Sequence, residues 1–382
     1  MKKAYIWGGS FRGIQIKGIL ESLGVEVCGV IDRNVLGCMK PEKFFEICQP
    51  TDVVVIGSIK PETQESIIKD IKGSGSNVII MTNQEFHYKY EIPFYEKKSY
   101  HKYEMDFEQK MKKWFDSFLS EVKFWKNDVA TPSGYYWNHY TQRLKPKEFI
   151  CERISGLVKD GDIVLDVGCG ICSQYGKKLN NGVINLVGID PLASFYNKIN
   201  DRYYKNYSDD KKQENATVVF GMFELLSYML GENYADFILI DNALDHCIDP
   251  YSAIIECLKV VKIGGMVSTR HHVNEAYKAM YSDLHQWNIC ADDDNKFIIW
   301  NQENYIDVKE YLDEYVEFDV RIEKNISLEA PYGNVICNFV KKIDIPDNLS
   351  KDTKKRTGFV MGEMMRKLAD IEYANELIVL NE

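Results

Sequence analysis

The chain has 382 residues and a formal net charge of −10, and hydrophobic residues make up 45% of it. This length predicts at least two domains, and the acidic balance disfavours nucleic acid as a substrate, because proteins that bind nucleic acids present basic faces. No apolar run approaches the roughly 20 residues that span a bilayer. Ten scattered cysteines are typical of reduced thiols, so we expect a cytoplasmic protein without a membrane span.

Residues 1–97 alternate between short apolar segments and helical ones, an order that predicts a parallel sheet. Gly8, Ser10 and Gly13 follow the first strand with the spacing G-x-S-x-x-G, a weakened dinucleotide fingerprint, and Asp32 closes the second strand. The segment resembles the small Rossmann-like domain that precedes the catalytic part of some sugar acyltransferases and other nucleotide-sugar enzymes. The backbone amides at the helix start are candidates for binding phosphate. The alternative is a domain that only packs or docks.

Residues 98–150 are predicted to form a helical linker or lid. Apolar side chains recur at three- and four-residue steps over 101–126, which indicates an amphipathic helix, and a second helix is predicted at 146–157. Between them, Tyr136 and Arg143 belong to a polar, aromatic stretch that we expect to face a substrate. Arg143 is a candidate for holding a phosphate or a carboxylate.

A second alternation of strands and helices occupies residues 151–343, which predicts a second doubly wound α/β domain. Its strands are predicted at 163–167, 186–189, 217–220, 237–241, 265–269, 316–321 and 335–341, the last two antiparallel. Asp249 and Pro250 suit the start of a helix that Gly264 is predicted to end. The tail, 344–382, is predicted to be helical and to dock on the body or on a partner subunit, as in a homo-oligomer.

The most informative stretch is an apolar strand that ends in Asp166 and a glycine turn, Gly168-Cys169-Gly170. Glycines let the backbone take positive φ and approach a ligand, and the carboxyl ends of parallel strands build the ligand crevice. Twenty residues after Gly170 the next strand ends at Asp190, a position suited to binding ribose hydroxyls. The glycine spacing is not that of dinucleotide binders.

This stretch resembles motif I of the class I S-adenosylmethionine (SAM) dependent methyltransferases, D-x-G-x-G-x-G. The resemblance continues through Asp190 and residues 220–226 and 235–246, and it ends at residues 260–265, which are similar to the family's LKPGG turn. It implies a seven-stranded sheet and SAM as the cofactor. Two positions depart from the family pattern: Cys172 replaces the third glycine, and Met222 replaces an acidic residue often found near the adenine.

The resemblance also implies roles for individual residues. Asp166 and the loop Gly168 to Gly170 would hold the methionine part of SAM, and Asp190 the ribose. The remaining cofactor candidates are Met222 and Phe223 beside the adenine, and Asn242 at the end of the fourth strand. The pair Cys169 and Cys172 has no second pair beside it, so loop packing is the preferred interpretation over metal binding.

Candidates for the substrate side follow the fourth and fifth strands. The proposed bases share an imidazole whose pKa lies near working pH; they are His246, His271, His272 and His285. Asn274 and Trp287 are candidates for contacting the acceptor, and pinning of the loops is the alternative for each of these residues. Histidines 271, 272 and 285 with neighbouring acids could also bind a divalent cation, but the spacing is not diagnostic and no metal ligand is assigned.

The sequence therefore predicts transfer of a methyl group from SAM to an oxygen of a small acceptor, of a sugar type or activated by a nucleotide. The insert after the fifth strand resembles one in bacterial methyltransferases from polysaccharide-type loci, which suggests surface polysaccharide biosynthesis. Methylation of nitrogen or carbon stays open. The alternatives are an NAD(P)-linked oxidoreductase that uses the first domain and a non-catalytic scaffold with a SAM-like fold.

Overall fold

The computed structural model describes residues 1, 3–99, 107–145, 147–213, 216–291, 296–323, 327, 330–349, 358–367 and 369–370. The chain divides into two compact units. The first comprises Met1–Tyr103 together with two later segments, Gln302–Tyr305 and Lys324–Gly333, and the second comprises the rest. The sequence did not indicate that short, late segments join the first unit, because they carry no periodic pattern of their own.

The first unit is built on a four-stranded parallel sheet in the order β2-β1-β3-β4. Its elements are β1 Lys3–Trp7, α1 Phe11–Ser22, β2 Glu26–Ile31, α2 Pro41–Ile47, β3 Val53–Ile56, α3 Pro61–Gly73 and β4 Ile79–Met81. The chain then continues through α4 Asn83–Phe86, a π-helical turn His87–Glu91 and α5 Ile92–Ser99. The predicted strands of this unit are all present and parallel.

A buried ionic network ties α1 to the helical segment after β4. Both terminal nitrogens of Arg12 donate to the Glu91 carboxylate at 3.0 Å, and His87 Nδ1 lies 2.7 Å from the same carboxylate. Asn83 accepts from Arg12 at 3.3 Å and from the Tyr332 hydroxyl at 2.7 Å. Burial raises the pKa of Glu91, but the charge of Arg12 outweighs it and holds that pKa below its usual value. The network also anchors one of the late segments to this unit.

The second unit contains a seven-stranded mixed sheet in the order β15-β16-β11-β10-β5-β8-β9. These strands are β5 Ile163–Val167, β8 Asn185–Asp190, β9 Val218–Phe220, β10 Ala235–Asp241, β11 Val261–His272, β15 Val316–Glu323 and β16 Asn334–Lys341, and a short hairpin supplies β6 Lys178–Leu179 and β7 Gly182–Val183. Strand β16 runs antiparallel to both of its neighbours, as predicted for the last pair. The carboxyl ends of β5, β8, β10 and β11 meet at one edge.

The longest helix of the second unit buries an apolar stripe, as its spacing predicted. The helices are α6 Phe107–Phe124 with a π-helical turn Trp125–Val129, α7 Trp137–Arg143, α8 Ala193–Tyr207, α9 Leu226–Leu230, α10 Pro250–Val260, α11 Glu275–Lys278 and α12 Val308–Leu312. Trp114, Phe118 and Val122 of α6 are buried against α8 and the glycine loop. Residues 358–367 are helical too, and their Val360 and Met364 join the same core.

Two predicted boundaries were wrong. In place of a helix at 146–157 there is one short 3₁₀ turn, Glu152–Ile154, because Glu148 forms a β-bridge to Lys178 and Gly156 takes a φ of +80°. Helix α10 ends at Val260 rather than near Gly264, since Val261 already pairs with Ala235 in the sheet.

The insert after β11 carries a three-stranded sheet of β12 Asn288–Ala291, β13 Phe297–Trp300 and β14 Tyr305–Asp307. Among the described residues, none of the helices has both the length and the apolar composition that crossing a bilayer requires.

Candidate functional site

The loop after β5 is a tight glycine turn at the carboxyl edge of the large sheet. Gly168 and Gly170 have φ values of +71° and +63°, and the Gly168 amide donates to the Ile189 carbonyl at 2.8 Å. A Cβ atom on Gly168 would lie 2.5 Å from the Ala243 side chain. Only glycine therefore fits at this crossing of the loop and the end of β10.

Asp166 and Asp190 are both buried beside this loop. Asp190 accepts the Gly170 amide at 3.0 Å and the Leu192 amide at 2.9 Å, and Ser173 donates to Asp166 at 2.7 Å. Burial raises the pKa of Asp190 to about 7 in spite of its two amide donors. Burial and the nearby charge of Asp241 raise the pKa of Asp166 to about 6. The loop thus concentrates carboxylates in a poorly solvated place.

Arg143 supports the loop from α7. One terminal nitrogen donates to the Cys169 carbonyl at 3.0 Å and to the Cys172 carbonyl at 2.6 Å. The prediction that Arg143 holds a phosphate or carboxylate is therefore not met at this nitrogen, which contacts backbone oxygens instead. Both cysteines are buried, and burial raises the pKa of each thiol, consistent with loop packing.

Met222 and Phe223 follow β9 and are buried next to the loop. The Phe223 ring lies 3.1 Å from the place of a Cβ on Gly168. The neighbouring Glu224 accepts the Ile248 amide at 2.8 Å and the Asp249 amide at 3.2 Å, and burial raises its pKa to about 7. Glu224 thus holds the start of α10.

Trp125 covers the other side of the glycine loop, which the sequence did not indicate. Its ring lies 2.8 Å from the place of a Cβ on Gly170, and its indole nitrogen donates to Glu121 at 2.7 Å. A π-helical turn begins at Trp125, and its ring packs against the same core as the α6 stripe. Tyr136 is half-buried, with its ring 5.9 Å from that of Phe124.

A second polar cluster lies just after β10, at the same edge of the sheet. His285 Nδ1 lies 2.7 Å from Asp245 Oδ2 and 3.1 Å from His246 Nε2, and His246 Nε2 lies 3.5 Å from Asp245 Oδ2. Burial would lower the pKa of His285, but the Asp245 carboxylate raises it to about 9. Burial is likewise outweighed at Asp245, where the two imidazoles hold the pKa near 2. We call these three residues the His-Asp cluster.

Asp241 and Asn242 stand at the end of β10, just before the His-Asp cluster in the chain. Arg153 donates to Asp241 Oδ2 at 2.8 Å, and the Tyr175 hydroxyl contacts the same oxygen at 2.5 Å. Asn242 has a φ of +50°, and its side-chain oxygen accepts the His272 amide at 2.9 Å, so it fixes the ends of β10 and β11 together. The contact between Arg153 and Asp241 spans 88 residues and has no local sequence signal.

The other predicted histidines sit differently. His271 is buried, neither ring nitrogen has a hydrogen-bond partner within the part of the chain that is described, and burial lowers its pKa to about 4. It is therefore neutral at physiological pH. His272 is half-buried, with Nδ1 3.0 Å from Glu275.

Two predicted substrate residues pack inside the fold instead, which corrects the sequence interpretation. Asn274 accepts the Trp300 indole N–H at 2.9 Å and is fully buried. Trp287 is also fully buried and donates to the Cys247 carbonyl at 3.1 Å, so no face of its ring is open for stacking on a ligand.

The glycine loop of the first unit is closed on itself. A Cβ on Gly13 would lie 1.7 Å from the Gly8 carbonyl oxygen, and Ser10 makes no side-chain cap to α1. The Asp32 carboxylate accepts the amides of Gly9 at 2.7 Å, Asn34 at 2.8 Å and Val35 at 3.1 Å. These amides outweigh burial and hold the pKa of Asp32 below its usual value. The predicted ribose ligand thus holds backbone amides of its own loop.

Comparison with known proteins finds a methyltransferase domain within the second unit. Residues 165–269 match a family described as a methyltransferase domain. An uncharacterized methyltransferase of Schizosaccharomyces pombe is 25% identical over 155 residues, which cover 40% of this chain and 48% of the relative, so the chain spans about half the length of that curated relative.

Solved structures with some likeness include two methyltransferases. The N-methyltransferase NodS from Bradyrhizobium japonicum WM9, in complex with S-adenosyl-L-homocysteine, is 14% identical; the match covers 60% of this chain and all of that one, with a TM-score of 0.36. A phosphoethanolamine N-methyltransferase 2 from Haemonchus contortus, in complex with S-adenosyl-L-methionine, is 10% identical; the match covers 90% and 95% of the chains, with a TM-score of 0.36.

The residues around the loop fit the cofactor that this family match implies. Gly168 and Gly170 take positive φ values in a turn that packs closely against Ala243 and Trp125, and carboxylates suited to an ammonium group and ribose hydroxyls lie beside it. Together, the loop geometry and the match over residues 165–269 support a methyltransferase domain within the second unit, with S-adenosyl-L-methionine as its cofactor.

Proposed function

We propose that this protein transfers a methyl group from SAM to a hydroxyl oxygen of a small acceptor. The observation that supports this proposal most strongly is the His-Asp cluster, which lies at the same edge of the sheet as the glycine loop. Gly168 packs against Ala243, only two residues before Asp245, so the cofactor loop and the cluster lie close together at this edge. Bound SAM would supply a methyl group on a positively charged sulfur. Transfer of that methyl group to the acceptor oxygen would leave S-adenosylhomocysteine.

The chain's own residues would place the acceptor and accept its proton. A hydroxyl oxygen becomes a good nucleophile as its proton leaves, and an imidazole within reach can accept that proton. Asp245 and His285 form the tighter ion pair of the cluster, so His246 is the proposed proton acceptor. Trp125 and Glu121 would serve as a lid that keeps water from the loop.

A sugar-type or nucleotide-linked hydroxyl compound is the proposed acceptor class. The net charge of −10 disfavours nucleic acid as an acceptor, and the hydroxyl groups of a sugar suit hydrogen bonding to the carboxylates and imidazoles at this edge of the sheet. The first unit is proposed as a docking domain rather than a nucleotide site, because Asp32 already occupies the Gly9 amide that a phosphate would use. An NAD-linked oxidoreductase is not favoured, because the Asp32 carboxylate already accepts three backbone amides of its own loop.

The test is methyl transfer from isotopically labelled SAM by the full-length chain, with sugars, nucleotide sugars and matched amino compounds as acceptors. We expect labelled product with a hydroxyl compound, and a fall in kcat of about 100-fold in His246→Gln at unchanged S-adenosylhomocysteine affinity. His139→Gln, an exposed histidine on α7, is the matched control. Labelling of amino compounds alone would refute oxygen as the acceptor atom.

A further inference from the structure

We infer that the His-Asp cluster is a binding site for one divalent transition-metal ion. Its catalytic consequence rests on the function proposed above, but the binding itself does not. The candidate ligand atoms are His246 Nε2, His285 Nδ1 and Asp245 Oδ2, all within 4.8 Å of one another.

The separations of these three atoms bracket the range found between ligands of a single ion, so small side-chain shifts would bring them to it. They are 2.7, 3.1 and 3.5 Å. Three ligands about 2.1 Å from one ion lie roughly 3.0–3.4 Å apart when the angles at the ion are tetrahedral or octahedral. His285 Nδ1 faces both Asp245 Oδ2 and His246 Nε2, so one proton on Nδ1 would have to be shared between two acceptors. An ion bound between the three atoms would satisfy all of them.

A second observation points to a missing ligand at the same place. The other carboxylate oxygen of Asp245, Oδ1, is buried and has no hydrogen-bond partner within the described part of the chain. A buried carboxylate oxygen without a donor destabilises the fold. A cation beside this carboxylate would compensate that oxygen. The carboxylates of Glu275 and Glu121 also lie near enough to act on His285, which makes the surroundings negative.

The donor set indicates the class of ion. Two imidazoles and one carboxylate suit Zn²⁺, Fe²⁺, Co²⁺ or Ni²⁺ better than Mg²⁺ or Ca²⁺, which prefer oxygen ligands. His246 and His285 are half-buried rather than closed off, so the site keeps positions open for another ligand. An acceptor hydroxyl bound in such a position would have a lower pKa and would release its proton to water, since His246 would then serve as a ligand of the ion and not as the proton acceptor.

Sequence spacing could not reveal this site. Asp245 and His246 are adjacent, but His285 lies 40 residues beyond Asp245, and the possible cation site left open by the sequence grouped His285 with His271 and His272 instead. In the structure His271 is buried, and neither of its ring nitrogens has a hydrogen-bond partner among the described residues. His272 pairs with Glu275.

The experiment is a Co²⁺ titration of the full-length chain, without a polyhistidine tag and after treatment with a chelator, followed by the visible absorption of bound Co²⁺. We expect one Co²⁺ per chain, displaced by Zn²⁺ and not by Mg²⁺. His246→Gln and His285→Gln should each weaken binding by about 100-fold or more, while His139→Gln leaves it unchanged. X-ray absorption of the Zn²⁺-loaded parent should show two imidazole ligands, a result that needs no variant to fold.

Absence of one-to-one binding, or binding that survives in both variants, would overturn the metal site. The two proposals fail separately. S-adenosylhomocysteine binding and methyl transfer without any bound Co²⁺ would remove the metal site and leave the proposed function. Stoichiometric Co²⁺ binding without transfer to hydroxyl acceptors would leave the metal site and remove the proposed function.

Discussion

The two glycine loops of the molecule share a construction and differ in electrostatics. Each follows the first strand of its sheet, and each is closed by an aspartate at the end of the next strand: Asp32 accepts the Gly9 amide at 2.7 Å, and Asp190 accepts the Gly170 amide at 3.0 Å. The pKa of Asp32 lies below its usual value, whereas burial raises that of Asp190 to about 7.

We interpret this difference in pKa as separating a structural loop, after β1, from the proposed cofactor loop, after β5. In the first unit, backbone amides satisfy the carboxylate, and nothing further is needed. In the second, burial raises the pKa values of Asp166 and Asp190 even though both accept hydrogen bonds, so a ligand that donates further hydrogen bonds or carries a positive charge would stabilise their charged forms. Strongly perturbed carboxylates in a crevice mark functional sites, since a ligand can supply the missing partners.

The largest expected effect is confined to the first unit. Arg12→Ala removes the guanidinium from a buried ion pair, and we expect a loss of about 3–5 kcal/mol in the free energy of unfolding of that unit. Chemical denaturation with hydrogen exchange of β1 to β4 measures it. S-adenosylhomocysteine affinity should change less than about twofold.

The control is Arg33→Ala, which breaks an exposed ion pair with Asp70 and should cost under about 1 kcal/mol. Equal losses in the two variants would show that the network of the first unit does not stabilise it as described.

The next effect contrasts the two aspartates. Asp190→Ala should weaken S-adenosylhomocysteine binding by about 100-fold, because it removes a buried acceptor at the loop, whereas Asp32→Ala should change the affinity less than about threefold. Isothermal calorimetry compares the two variants. A large loss in Asp32→Ala would place a ligand in the first unit and break the comparison.

Stability should also depend on pH through Glu224. Its pKa rises from about 4.5 in the unfolded chain to about 7 in the folded one, so the folded state binds the proton more tightly. The contribution of Glu224 to stability is therefore full below about pH 4.5 and falls by about 3 kcal/mol as pH rises to 7. Glu224→Gln should flatten this slope in denaturation curves from pH 4.5 to 7.5, and the exposed Glu232→Gln should not. An unchanged slope in Glu224→Gln would contradict the burial argument.

The smallest effect concerns the glycine cradle. Gly168→Ala should weaken S-adenosylhomocysteine binding by about tenfold, because the new Cβ meets Ala243 and the φ is positive. Gly264→Ala shares a positive φ, +80°, but has open space around it, so it should lower only stability, by about 1 kcal/mol. Equal binding by the two variants would show that the close approach at Gly168 is not needed for the cofactor.

The strands of both sheets and the cofactor loop could be predicted because apolar runs ending in Asp166 or Asp190 are local patterns. The roles of Arg143, Trp125 and Arg153 could not, because each acts across a long stretch of chain. Arg143 has the chemistry of an anion ligand, yet its partners are the carbonyls of Cys169 and Cys172.

Burial explains the other wrong assignments. An aromatic ring or an amide in a polar insert suggests a ligand contact, but the sequence does not show which side of the small sheet faces the core. Trp287 and Asn274 face inward, and each pairs its polar atom with a neighbour, Cys247 or Trp300. The contact between His285 and Asp245 likewise could not be predicted, because it depends on how the insert after β11 packs against the end of β10.

The most direct test of the contrast between the loops is hydrogen–deuterium exchange of the full-length chain with and without S-adenosylhomocysteine. We predict slower exchange in peptides that cover Asp166 to Gly170 and Asp190, and no change in peptides that cover Gly8 to Gly13. Protection of the first loop instead, or of neither loop at saturating ligand, would contradict the assignment of the cofactor site to the second unit.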